Sequence, residues 1–142
     1  MAPTRSRCDA IVLSAALSVA VAVGVGGCSP RVLESSSGLV VVLAAEGNGM
    51  QALLEGELTT TAGGCLAVRW GEPALVTMLA AAPGTRLDGT DAVVMPTYGR
   101  LELGQQVALG GGFASLDEAW SALDVPAACG DPVEAFFVNS FG

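Results

Sequence analysis

The chemistry open to this chain is confined to thiols, carboxylates and a few aromatic rings, because it contains neither His nor Lys. Imidazole is the usual general base, the commonest zinc ligand and the side chain that titrates near neutrality. Its absence excludes hydrolases built on a His-activated serine, cysteine or metal. The thiols are Cys8, Cys28, Cys65 and Cys129. Cys28 follows Gly26 and Gly27, small neighbours that leave its sulfur and the adjoining backbone sterically open. Cys65 and Cys129 have no Cys-x-x-Cys spacing and no His partner, so a redox or metal-binding pair is disfavoured beside a plain disulfide.

The other candidates each have a bland competitor. Glu55, Glu57, Glu72 and Glu102 could furnish a glycosidase-type acid–base pair, which requires two carboxyl groups about 5–10 Å apart. Glu55 and Glu57 lie on one strand face at about 7 Å, as they would on any solvated strand. Asp88-Gly89-Thr90-Asp91 offers oxygens to Ca²⁺ but lacks the rest of a calcium loop and its terminal Glu, so a turn is expected and no metal. Gly110-Gly111-Gly112 ahead of a helix start invites a phosphate-loop reading. No Lys follows it, however, and Asp117 and Glu118 fill the first turn where an anion would dock. A bulge or sheet-exit turn is the expectation. Trp70 and Tyr98 lie near turns and are the candidate exposed aromatics for ligand binding, whereas Trp120 falls on an apolar helical face. No catalytic residue and no cofactor is expected.

These residues are positioned by a chain in three parts. Arg5 and Arg7 give a short basic start, and Ala10 to Val23 are apolar and uncharged. Gly24 to Gly27 supply small residues ahead of a cut, which completes a secretory signal over residues 1–27. The apolar run also reaches the lower limit of a membrane span, roughly 17–25 residues, so an uncleaved signal anchor is the competing reading. Val25-Gly26-Gly27-Cys28 resembles the lipobox of bacterial lipoproteins, in which the cysteine is lipidated and becomes the mature N-terminus. The resemblance implies export, thioether diacylglycerol and palmitate-type acyl chains on Cys28. It also implies attachment to the bacterial membrane, cell-surface or periplasm-facing. Two or three acyl chains give stable anchoring at about 0.8 kcal/mol per buried CH₂. A disulfide-forming Cys28 is the alternative.

With Cys8 removed and Cys28 lipidated, Cys65 and Cys129 form an even pair in an oxidising compartment and are expected to bond to each other. The mature chain has four arginines (Arg31, Arg69, Arg86, Arg100) against thirteen acids, a balance of −9. Phosphate binding needs clustered cations, so nucleic acid is not an expected partner. Residues 28–38, rich in Ser with Pro30 and Gly38, read as the lipidated cysteine and a tether. Such a flexible stretch of ten residues reaches about 18 Å.

Residues 39–142 read as one domain. Leu39 to Ala45 is an apolar strand, and Gln51 to Thr61 alternates with Leu54 and Leu58 on one face. Ala62-Gly63-Gly64 turns the chain into Cys65 to Trp70, the clearest hairpin. Further short strands are expected over Ala74 to Leu79, Ala92 to Met95, Leu101 to Leu103, Gln106 to Leu109 and Glu134 to Val138. Gly110-Gly111-Gly112 should end the β region before a helix at about Leu116 to Leu123, where Ser115 and Glu118 make a capping box. Many short strands and one short helix predict a mainly β fold, a small OB-like antiparallel β-barrel. The stretch from Leu54 to Ser140 also resembles a small β-barrel domain of uncharacterised actinobacterial exported proteins and lipoproteins. Gly63-Gly64-Cys65-Leu66, Pro83-Gly84-Thr85, Gly110-Gly111-Gly112-Phe113, Cys129 and Phe136-Phe137-Val138-Asn139 carry that resemblance. Met78-Leu79-Ala80-Ala81-Ala82 departs from it, where an aromatic–proline turn is more usual. The resemblance implies the barrel and the Cys65–Cys129 bond but no activity. The expected function is therefore a membrane-anchored binding or interaction module of the cell envelope, with an envelope protein or glycan as partner. A structural or accessory lipoprotein and a carboxylate-dependent enzyme are the alternatives.

Overall fold

The computed structural model describes residues 31–44, 51–115, 123, 125–130 and 134–139. The signal, the lipobox with Cys28, and the helix expected over Leu116 to Leu123 lie outside the described residues, apart from Leu123 itself. The fold is mainly β. Among the described residues ten strands run in chain order: β1 (Val32–Glu34), β2 (Val40–Leu43), β3 (Ala52–Thr60), β4 (Leu66–Trp70), β5 (Leu75–Ala81), β6 (Arg86–Leu87), β7 (Ala92–Met95), β8 (Gly99–Glu102), β9 (Gln106–Ser115) and β10 (Glu134–Val138).

Five of these strands close a barrel in the order β5-β10-β9-β3-β4, with β4 returning to β5. Strands β9-β3-β4-β5 form the Greek-key order in which the fourth strand lies beside the first. Strand β10 then fills the remaining gap, antiparallel to β9 and parallel to β5. The architecture is the small OB-like barrel anticipated from strand lengths and turns. Strands β6, β7 and β8 make a separate three-stranded sheet between β5 and β9. Its Val93, Met95 and Leu101 join the barrel interior.

Residue alternation explains why this sequence closes. On β3, Leu54 and Leu58 are buried while Glu55 is exposed, the half-buried pattern of a strand with one wet face. On β2, β5 and β10 both parities are buried. Val41, Leu79, Ala81, Phe136 and Val138 fill the barrel, whereas Val42, Met78, Ala80, Ala135 and Phe137 form a second cluster on its outer side. The continuous apolar runs at Leu39–Ala44 and Met78–Ala82 are strands covered on both faces, which need no polar alternation.

Two expectations are corrected. The tether does not extend to Gly38: Val32–Glu34 pair antiparallel with β2, and the Leu43 N–H donates to the Arg31 carbonyl at 2.8 Å. Val32 and Leu33 supply apolar side chains that pack on the two clusters, which outweighs the turn bias of the surrounding serines. Nor do the three glycines end the β region. Gly110 and Gly111 pair with Leu53 and Ala52 of β3, and Gly111 and Gly112 with Val138 and Phe137 of β10. A Cβ on Gly111 would lie 1.9 Å from the Phe137 carbonyl oxygen. Glycine here permits close strand approach rather than a loop.

The outer cluster is roofed by Leu123 and residues 125–130. Leu123, Val125 and Cys129 pack over Val40, Val42, Met78, Ala80 and Phe137. The roof turns through a short 3-10 segment, Ala127–Cys129. The Cys65–Cys129 disulfide, closed across 64 residues, staples it to the start of β4. A loop of that length corresponds to about 4 kcal/mol in the chain-entropy model. Backbone contact tightens the same joint. A Cβ on Gly63 would fall 1.5 Å from the Ala128 carbonyl oxygen.

Candidate functional site

The two aromatic candidates are not brought together, and each is half-buried rather than displayed. Trp70 ends β4 with its ring directed to the barrel's end. Its Nε1–H donates to Thr77 Oγ1 at 2.9 Å, and its ring lies 5.5 Å from that of Phe113. Phe113 in turn meets Phe136 edge-on at 5.0 Å. This stack of three rings plugs the barrel, because Trp70 offers a large apolar body and Thr77 accepts its one donor. Tyr98 has a different task. The β9–β10 ladder stops at Val138 opposite Gly111. One residue on, the Gly110 carbonyl accepts from Asn139 N–H at 2.9 Å. The Gly110 N–H, left without a strand partner on that side, donates to the Tyr98 hydroxyl at 2.7 Å. Both aromatics were expected to stand out near turns. Strand ends in a small barrel instead direct them onto the core.

The carboxylates do not converge. Glu57 pairs with Arg69 across β3 and β4 at 3.5 Å, and Glu55 and Glu72 are exposed. Asp88 lies in the β6–β7 turn, where its Oδ2 accepts from Arg100 Nε at 2.7 Å. Arg100 also pairs with Glu102. The Arg100 guanidinium is held above its ordinary value, first by the hydrogen bond to Glu102 and then by that to Asp88. Each of these acids is therefore solvated or matched to an arginine, and Glu55 and Glu57 sit on a different sheet from Asp88 and Asp91. Among the described residues no group of three potential metal ligands gathers.

The feature that reading the residues in order did not single out is apolar. Leu53, Leu75 and Val76 are 62%, 53% and 49% exposed. Register places them at one end of the barrel. Leu75 pairs with Trp70 and Val76 with Arg69, Arg69 pairs with Glu57, and β3 runs back from Glu57 to Leu53 past that point. Leu53 and Val76 have the outward parity, and Leu75 forms the rim beside Trp70. The Glu57–Arg69 pair lies at the level of Val76, and Leu53 stands four residues before Glu57 on β3. Strands β4 and β5 form one outer face of the barrel. The far part of that face, at Arg69 and Val76, is open, whereas the part at Met78 and Ala80 lies under the stapled roof. A signal existed in the sequence, since Leu53 breaks the alternation of β3, but only closure of the barrel shows that it shares an end with Leu75 and Val76.

Compared with known proteins, the chain matches no family model, no curated protein and no solved structure.

Proposed function

We propose that the chain is an exported bacterial lipoprotein, anchored through lipid on Cys28, whose barrel serves as a binding or interaction module of the cell envelope and not as an enzyme. The anchor reading rests on Val25-Gly26-Gly27-Cys28 behind an apolar run. The Cys65–Cys129 disulfide supports it twice. A structural disulfide suits an oxidising compartment outside the cytoplasm, and the two cysteines satisfy each other, so neither is a partner for Cys28. The observation that carries the binding reading is the exposed Leu53–Leu75–Val76 end, beside carboxylates that are solvated or matched to arginine.

Two measurements test this. Mass spectrometry of the mature N-terminus should find Cys28 as the first residue with acyl mass added. An intact Met1, or an unmodified Cys28, defeats the anchor. Crosslinking in intact envelopes should then capture a partner through the exposed end, and Leu53→Glu with Val76→Glu should abolish that capture while leaving lipidation unchanged. Capture that survives both substitutions argues for the second reading, a structural or accessory lipoprotein held by other surfaces.

A further inference from the structure

The path of the chain next to the anchor constrains how the barrel is oriented. Only Ser29 and Pro30 separate Cys28 from Arg31. Arg31 is already part of the folded domain, because its carbonyl accepts from Leu43 N–H and Val32 begins β1. Three residue steps span at most about 11 Å. The polar layer on each side of a bilayer is roughly 5–8 Å thick, the difference between a hydrocarbon core of about 30 Å and a total of about 40–45 Å. A lipidated Cys28 therefore leaves no room for the barrel to tumble above the surface.

The corner beside Arg31 is defined by hydrogen bonds. Leu43 and Ala44 lie at the C-terminal end of β5, where Ala44 N–H donates to the Ala81 carbonyl at 2.9 Å. From there the chain turns through Pro83 and Gly84, both exposed, with Thr85 N–H closing onto the Ala82 carbonyl at 3.2 Å. Arg86 follows, exposed, at the start of β6, which lies beside β1. Two of the four arginines of the mature chain thus flank one turn. The nearest described acid on β1, Glu34, is at that strand's other end. Asp88, beyond β6, is matched to Arg100.

We infer that the corner formed by Arg31, Pro83, Gly84 and Arg86 is the membrane-facing surface of the domain, with both guanidinium groups at the phospholipid headgroups. The opposite end, bearing Leu53, Leu75 and Val76, is turned away toward the envelope. The inference rests on the anchor reading above. The domain as a whole is acidic, yet its contact with the lipid surface is cationic, and the arginines meet anionic headgroups within a Debye length of about 8–10 Å.

Strand β5 serves as a ruler. Val76 and Ala81 are about 17 Å apart along it, and Pro83 lies just beyond. The test uses the full chain, processed and lipidated, reconstituted in vesicles carrying a nitroxide on a fraction of the headgroups. A fluorophore is placed at Pro83→Cys in one sample and at Val76→Cys in another; Cys65 and Cys129 are bonded and buried and do not react. Quenching should be several-fold stronger at position 83 than at 76, and a ten-residue Gly/Ser insertion between Pro30 and Arg31 should shrink that difference. Equal quenching at both positions in the uninserted chain, or the reverse order, overturns the orientation. Arg31→Glu with Arg86→Glu should lower quenching at position 83 in vesicles containing phosphatidylglycerol. An unchanged signal there overturns the headgroup contact of the arginines. If instead mass spectrometry finds Cys28 unmodified and the protein fails to sediment with vesicles, the anchor reading has failed and the orientation falls with it.

Discussion

The barrel interior and the outer cluster on β2, β5 and β10 bury similar residue types but are held by different means. The interior contains large side chains, Leu54, Leu58, Leu66, Leu79, Leu109 and Phe136 among them. It is enclosed by five strands whose hydrogen-bond ladders close on themselves, so no edge is left to fray. The outer cluster mixes small Ala44, Ala80 and Ala135 with Val40, Val42, Met78 and Phe137. Its cover is a segment with local backbone bonds, Cys129 N–H to the Pro126 carbonyl and Gly130 N–H to the Ala127 carbonyl. The disulfide, the close approach at Gly63 and the packing of Leu123 and Val125 join that cover to the barrel. The same apolar surface can thus be sealed by a cooperative ladder or by a covalent staple, and the two should respond differently to substitution.

The largest expected effect falls on the interior. Phe136→Ala removes a fully buried ring that also supports Phe113 and Trp70, and should destabilise by about 3–5 kcal/mol; urea unfolding followed by tryptophan fluorescence reads this directly. A loss under 1 kcal/mol would mean the interior repacks and the contrast drawn above is wrong. Next comes the staple. Cys65→Ala with Cys129→Ala should destabilise by about 2–4 kcal/mol. Hydrogen exchange should rise in residues 123–130 and at Val40 and Ala80 before it rises at Leu54 or Leu109. Uniform exchange across both regions would merge them into one unit.

Tyr98→Phe tests the point where the β9–β10 ladder ends. It leaves the Gly110 N–H without its acceptor, at about 1–3 kcal/mol if no water replaces the hydroxyl, with exchange rising at Gly110. The smallest effect belongs to the exposed ion pair. Glu57→Gln should change stability by less than about 1 kcal/mol, since its pair with Arg69 is solvent-screened. A larger loss would give that surface a structural role in addition to the binding role proposed for it.

Much of the architecture was legible because strand periodicity is a local property. Leu54 and Leu58 against Glu55, the Ala62-Gly63-Gly64 turn, and the limits of Ala92–Met95 and Glu134–Val138 all follow from alternation and turn chemistry within a few residues. The misread segments were those whose neighbours are distant in sequence. Val32–Glu34 looks like tether until β2 is placed beside it, and the glycine triplet looks like a break until Phe137 is found against Gly111. The candidate site was less legible still. Trp70 and Tyr98 were plausible exposed rings, but ring contacts from Phe113 and an N–H from Gly110 draw them inward. The exposed apolar end depends on β3, β4 and β5 meeting in register.

By itself the sequence determined a mainly β domain, an acidic chain without imidazole chemistry, a thiol at Cys28 in a lipobox-like setting, and an even cysteine pair. Each of these depends on composition, alternation or short-range spacing, which act within a few residues. Only the tertiary structure decided that β10 runs parallel to β5 and that both faces of β2 are buried. It also decided that the chain is committed to the sheet three residues after Cys28, and that Leu53, Leu75 and Val76 share one end. Those outcomes depend on closing the barrel, which brings together residues tens of positions apart, and no local signal carries that information.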